Sequence, residues 1–109
     1  MDTTQILKGL LEGCILKIIQ KKKVYGYEMI TLLSDYGLNM VSEGSIYPIL
    51  LKLQKQQLIT GEMRPSSEGP KRKYYSLTST GEAYLQKFEK QWLLVSTGVN
   101  NILENEGLK

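Results

Sequence analysis

Apolar residues recur three or four positions apart over residues 4–22, at Leu7, Leu10, Leu11, Cys14, Ile15, Ile18 and Ile19. That is the spacing of one helical face, and it predicts a first helix. Ile6 and Leu16 widen the stripe beyond what a single partner covers, so this helix is expected to pack on its own core and on another subunit. A shorter periodic run, Met29, Ile30, Leu32 and Leu33, follows Tyr25-Gly26 and stops at Tyr36-Gly37, where glycine supplies a left-handed cap. A third helix opens with Ser42 as its candidate N-cap and turns Ile46, Ile49, Leu50 and Leu53 inward. Pro48 falls in its early turns, where a local kink is expected. After Gln57 the period shortens. Residues 58–64 and 71–77 read as two strands joined by a polar turn over 65–70, and Thr78 caps a final helix whose first turn Gly81 weakens.

The order helix, helix, helix, hairpin, helix predicts an α+β, mainly α chain with the arrangement of a winged helix-turn-helix. Residues 1–77 form the expected nucleic-acid-binding part and 78–109 a C-terminal dimerisation helix, the two making one compact unit. In that last helix Leu85, Phe88, Trp92, Val95, Val99 and Ile102 alternate three and four apart, which keeps one seam facing a partner helix over several turns. The seam is longer than a small domain can cover, so a homodimer is expected, with Leu7 and Leu11 of the first helix adding to the interface.

In a helix-turn-helix the second helix of the pair enters the major groove with its N-terminal residues nearest the bases. Here that end carries Ser42, Ser45 and Tyr47 as hydroxyl donors, while Lys52 and Lys55 further along suit phosphates. Lys71-Arg72-Lys73 begins the second strand of the hairpin, with Lys71 and Lys73 on one face and Arg72 on the other. Such a run at a sheet edge either contacts a phosphate backbone or discourages aggregation, and its coincidence with the wing favours the first.

Composition supports this reading. The chain of 109 residues has 41% hydrophobic residues, enough for one packed domain. Its net charge of +3 is unevenly spread: residues 1–75 hold eleven Lys/Arg against seven Asp/Glu, residues 76–109 three against four. With one cysteine and no histidine, disulfide frameworks, Cys/His zinc sites and imidazole catalysis are excluded, and no metal, cofactor or enzymatic activity is expected. No run approaches the roughly 18 apolar residues that cross a bilayer, and the chain does not open with a basic segment feeding an apolar one, so a cytoplasmic protein is expected. Trp92, the single tryptophan, has two readings: an interface anchor, or with Phe88 an aromatic wall for a flat ligand held between subunits.

Three segments carry a family resemblance: Tyr25-Gly26-Tyr27-Glu28; Glu43-Gly44-Ser45-Ile46-Tyr47-Pro48-Ile49-Leu50 with Leu53; and Lys73-Tyr74-Tyr75-Ser76-Leu77-Thr78 followed by Gly81. The middle segment is the most specific. Over nearly its whole length the chain resembles the PadR family of bacterial transcriptional regulators, in its short class with a single C-terminal helix. The resemblance implies a homodimeric repressor of double-stranded operator DNA. It also implies a small hydrophobic or aromatic effector at the dimer centre, because the short class includes a multidrug-binding repressor with paired tryptophans flanking a pore, and Trp92 matches that position. The candidate DNA-contacting set is Tyr25, Ser42, Ser45, Tyr47, Lys52, Lys71, Arg72 and Lys73, and the candidate ligand-binding pair is Trp92 and Phe88. The competing use of the same fold is a protein-interaction module without DNA binding.

Overall fold

The computed structural model describes residues 3–107, so the outermost residues of the two expected segments, 1–2 and 108–109, lie outside it. Its elements are α1 (Thr3–Leu7), α2 (Leu11–Lys21), β1 (Val24–Tyr25), α3 (Gly26–Asp35), α4 (Glu43–Lys55), β2 (Ile59–Ser66), β3 (Gly69–Leu77) and α5 (Ser79–Glu104). In the number of elements the structure departs from the sequence reading at two places. The expected first helix is two helices, because Gly9 adopts φ +87, a left-handed conformation that ends α1 before α2 begins. A short strand, β1, also precedes α3 and makes the hairpin a three-stranded antiparallel sheet in the order β1-β3-β2.

The central strand β3 fixes the register on both sides. Val24 and Tyr25 pair with Tyr75 and Tyr74, and Ile59 to Arg64 run opposite Leu77 to Arg72. The strands of the wing extend beyond the expected limits to Ser66 and Gly69, with a bulge around Pro65, so the reversal is confined to Ser67-Glu68.

Beneath the sheet lies a core of Ile15, Leu16, Ile19, Val24, Met29, Leu33, Ile46, Leu50, Leu53, Ile59, Tyr75 and Leu85, joined by Leu11, Ile18 and Leu58. Each fully buried aliphatic side chain contributes about 1.5–3 kcal/mol of transfer free energy. The periodic positions of α2, α3 and α4 all point into this cluster, which is why three short helices hold together.

α3 and α4 end in the same way. The Leu38 amide donates to the Leu33 carbonyl at 2.8 Å and the Leu58 amide to the Leu53 carbonyl at 3.0 Å, each closing a turn through one left-handed residue. In α3 that residue is Gly37 (φ +103), as the sequence predicts, and in α4 it is Gln57 (φ 61). α4 runs unbroken through Pro48. Its N-cap position is Ser42, yet that hydroxyl lies 3.3 Å from the Ser45 hydroxyl and caps no amide, a departure from the expected cap.

Thr78 does cap α5: its Oγ1 accepts from the Gly81 amide at 2.9 Å and donates to the Gln57 carbonyl at 2.7 Å. The start of α5 is thereby tied to the start of β2. From there α5 runs 26 residues, about 39 Å at 1.5 Å per residue, and only its first turns pack on the body.

Candidate nucleic-acid interface

The wing and the N-terminal turns of α4 converge on one patch. The Tyr47 ring lies over Gly26 at the start of α3, so close that a Cβ there would meet ring carbon Cε1 at 2.5 Å. Tyr25, Gly26, Tyr27, Tyr47, Arg72, Lys73 and Tyr75 line a single open cleft. The three sequence segments that carry the family resemblance therefore meet in space.

Two guanidinium groups occupy the sheet face away from the core. Arg64 and Arg72 are direct cross-strand partners. Each is backed by an aromatic ring: Arg72 sits 4.4 Å from the centroid of Tyr25 and Arg64 5.3 Å from that of Tyr74, while Tyr25 and Tyr74 meet edge-to-face at 5.4 Å. Such contacts are worth about 0.5–1 kcal/mol each at exposed sites. Glu62 pairs with Arg64 at 3.4 Å on this face. On the other face Lys73 lies 5.9 Å from the Tyr75 ring, and Lys71 is exposed nearer the turn. Lys73 and Arg72 lie on opposite faces, while Lys71 falls in the irregular stretch between the Arg64–Arg72 and Ser66–Gly69 pairs. Burial, then the neighbouring Tyr47 phenol, pushes the Tyr75 phenol above its ordinary 10.0.

Other candidates stand apart from this cluster. Lys52 is held by Glu12 of α2 at 2.7 Å, and that carboxylate's hydrogen bond and charge raise the lysine's pKa. It sits on the α4 flank that faces α1 and α2, sharing a groove with Ser45, Ile49, Gln5 and Tyr84. Lys21 and Lys22, at the end of α2, contact the Tyr36 ring at 5.9 Å and Glu28 at 3.0 Å, respectively.

The expected dimer seam divides. Leu85 and Leu11 are 1% and 8% exposed and belong to the chain's own core, which corrects their reading as interface residues. Phe88 is half-buried with its ring over Gly13 of α2. From Trp92 onward the seam is open: Trp92, Val95, Val99 and Ile102 are all exposed, and Trp92 shares a shallow pocket with Gly9, Leu10, Phe88, Gln91 and Val95. Leu7 is half-buried.

Sequence reasoning missed Arg64, Tyr74 and Glu12. Arg64 was legible in part, since it ends the expected first strand, but the turn alone would set it opposite Lys71, and the irregularity between Arg64 and Ser66 moves its partner to Arg72. Nothing local announced Tyr74 beside Tyr25 or Glu12 beside Lys52, because those pairs are set by register and helix packing. No group of three or more His, Cys, Asp or Glu side chains among the described residues is placed to hold a metal, and no described helix is long and apolar enough to cross a membrane.

The three-helix body, the three-stranded sheet with its long hairpin and the projecting α5 define a winged helix-turn-helix protein. Residues 15–87 match the model of the transcriptional regulator PadR-like family, and the chain belongs to that family. It is similar to a PadR-like transcriptional regulator from Bacillus cereus, with 56% identity, 94% of this chain and 99% of the other covered, and a TM-score of 0.86. A Streptococcus transcriptional regulator matches at 48% identity over 93% and 98% of the two chains, with a TM-score of 0.82. Among curated proteins, an uncharacterised protein X of Lysinibacillus sphaericus is 34% identical over 106 residues, covering 95% of this chain and 97% of that one.

Proposed function

We propose that the chain is a homodimeric repressor that grips operator DNA with α4 and the wing, and that a small hydrophobic or aromatic molecule bound between the α5 helices modulates this grip. The observation that carries the DNA-binding reading is the Arg64/Arg72 pair. Like charges directly opposite across two strands weaken a hairpin, and they become an asset when a polyanion lies against them. With Lys71 and Lys73 beside them and the Tyr47 end of α4 on the same cleft, the pair forms a cationic ridge adjoining the reading helix.

The bare seam of α5 supports the dimer, since a helix that projects with Trp92, Val95, Val99 and Ile102 exposed lacks a cover for its apolar face. Two reading heads joined this way suit half-sites about one helical turn apart. Trp92 then lies near the centre of the joined helices. An effector bound there regulates only by favouring one spacing of the heads over another.

The test is an electrophoretic shift on DNA from upstream of the chain's own gene, repeated across salt concentrations. Each phosphate neutralised contributes about −0.9 to the slope of log affinity against log salt. Replacing Arg64, Lys71, Arg72 and Lys73 with alanine should flatten that slope and weaken binding to every sequence. A slope identical to that of the wild type removes the wing from the interface, and preference for no DNA at all removes the reading.

A further inference from the structure

α4 buries Ile46, Leu50 and Leu53 against the body. At 3.6 residues per turn, the stripe on the opposite side is Gly44, Pro48, Leu51 and Lys55. All four are exposed, and the first three carry no polar side-chain atom. Leu51 is the large one, at 54% exposure. It played no part in the sequence reading, because a leucine inside a helical run blends into the core pattern.

Gly44 makes this stripe informative. Glycine weakens a helix relative to alanine, so its presence calls for a reason. Within the chain there is none, since a Cβ on Gly44 would meet only the Ser42 hydroxyl at 3.8 Å, ordinary contact. Its φ is not in the left-handed region either. The clearance is outward, on the strip that Leu51 shares. Four residues on, Pro48 has no amide to offer the Gly44 carbonyl. The strip is thus low, apolar and free of packing duties, with Lys55 at its far end and the cationic ridge of the wing beyond Tyr47.

A major groove presents donors and acceptors from every base pair and one apolar group, the C5-methyl of thymine. We propose that Leu51 is a sequence-reading residue of α4 that packs on a thymine methyl, with Gly44 and Pro48 providing the clearance that lets the helix seat deeply enough for the contact. This inference rests on the DNA-binding reading above and adds to it a base preference.

The decisive experiment amplifies the DNA upstream of the chain's own gene twice, with dTTP and with dUTP. Uracil keeps the hydrogen-bonding edge of thymine and lacks its methyl. Wild-type protein should bind the thymine fragment at least about fourfold more tightly, the worth of one buried methyl. Leu51→Ala should lose a similar factor on the thymine fragment and distinguish the two fragments by less than about twofold. Gly44→Ala should bind more weakly although its thermal midpoint is unchanged or raised, a combination that a purely structural glycine would not give. Equal binding of both fragments by the wild type overturns the Leu51 reading and leaves DNA binding intact. Full discrimination retained by Leu51→Ala overturns it too, since the methyls would then be read elsewhere. Failure of the wild type to prefer the thymine fragment over competitor DNA removes the DNA-binding reading and this inference together.

Discussion

The two halves of α5 follow one apolar spacing and end in opposite environments. Leu85 is 1% exposed, locked into the body with the core of α2, while Val95 and Ile102 on the same seam are 57% and 63% exposed. The difference lies in what is within reach. The body is only deep enough to cover the first turns of the helix, and the rest leaves it behind. A hydrophobic period therefore reports that a face will be covered, and the size of the domain decides whether the cover comes from the same chain.

Substitutions along the helix test this contrast directly. Leu85→Ala opens a cavity in the shared core and should cost about 2–5 kcal/mol in urea or thermal unfolding; a cost below 1 kcal/mol would erase the contrast. Val99→Asp, on the open half of the seam, should convert the proposed dimer to a monomer by sedimentation while helix content by circular dichroism persists. Leu94→Asp is the control. Leu94 is 75% exposed and points away from the seam, so the dimer should survive that change.

Titration separates the halves more gently. Groups with raised pKa, Cys14 through burial, Tyr75 through burial and then Tyr47, and Lys52 through Glu12, all belong to the body. In each case the folded state holds its proton more tightly than the unfolded chain. Their contribution is complete below the unfolded values, the lowest being the ordinary 9.0 of cysteine, and is lost as pH rises through the folded ones. Urea midpoints should thus decline above about pH 9, with the onset moved upward in Cys14→Ala. The smallest effect concerns Gln57, whose positive φ suits glycine better than glutamine. Gln57→Gly should raise the body's stability by up to about 1 kcal/mol, and a loss of stability instead would mean that the glutamine side chain holds the turn.

Much of this was legible in the sequence, for physical reasons. α3, α4, the hairpin and α5 are marked by periods and caps that local residues specify by themselves, and Gly37 turned left-handed where a C-terminal glycine should. The break at Gly9 was hidden because Leu10 and Leu11 keep the apolar rhythm across it. β1 was hidden because two residues become a strand only when β3, about fifty positions later, pairs with them. Of the candidate site, the lysines and arginine of the wing were visible as a run. The pairing of Arg64 with Arg72 emerged only with the register, and the withdrawal of Lys52 toward Glu12 required knowing that α2 and α4 run side by side.

The contact of Tyr47 with Gly26 has a consequence for how this lineage can vary. Each helix of the helix-turn-helix supplies one side of that fit: α3 the missing methyl, α4 the ring that occupies its place. Alanine at residue 26 forces the half-exposed ring of residue 47 to swing aside, and a smaller residue at 47 leaves a hollow at the mouth of α3. A change at either site moves its partner, so in sequences that share the fold the two positions should vary together more readily than singly.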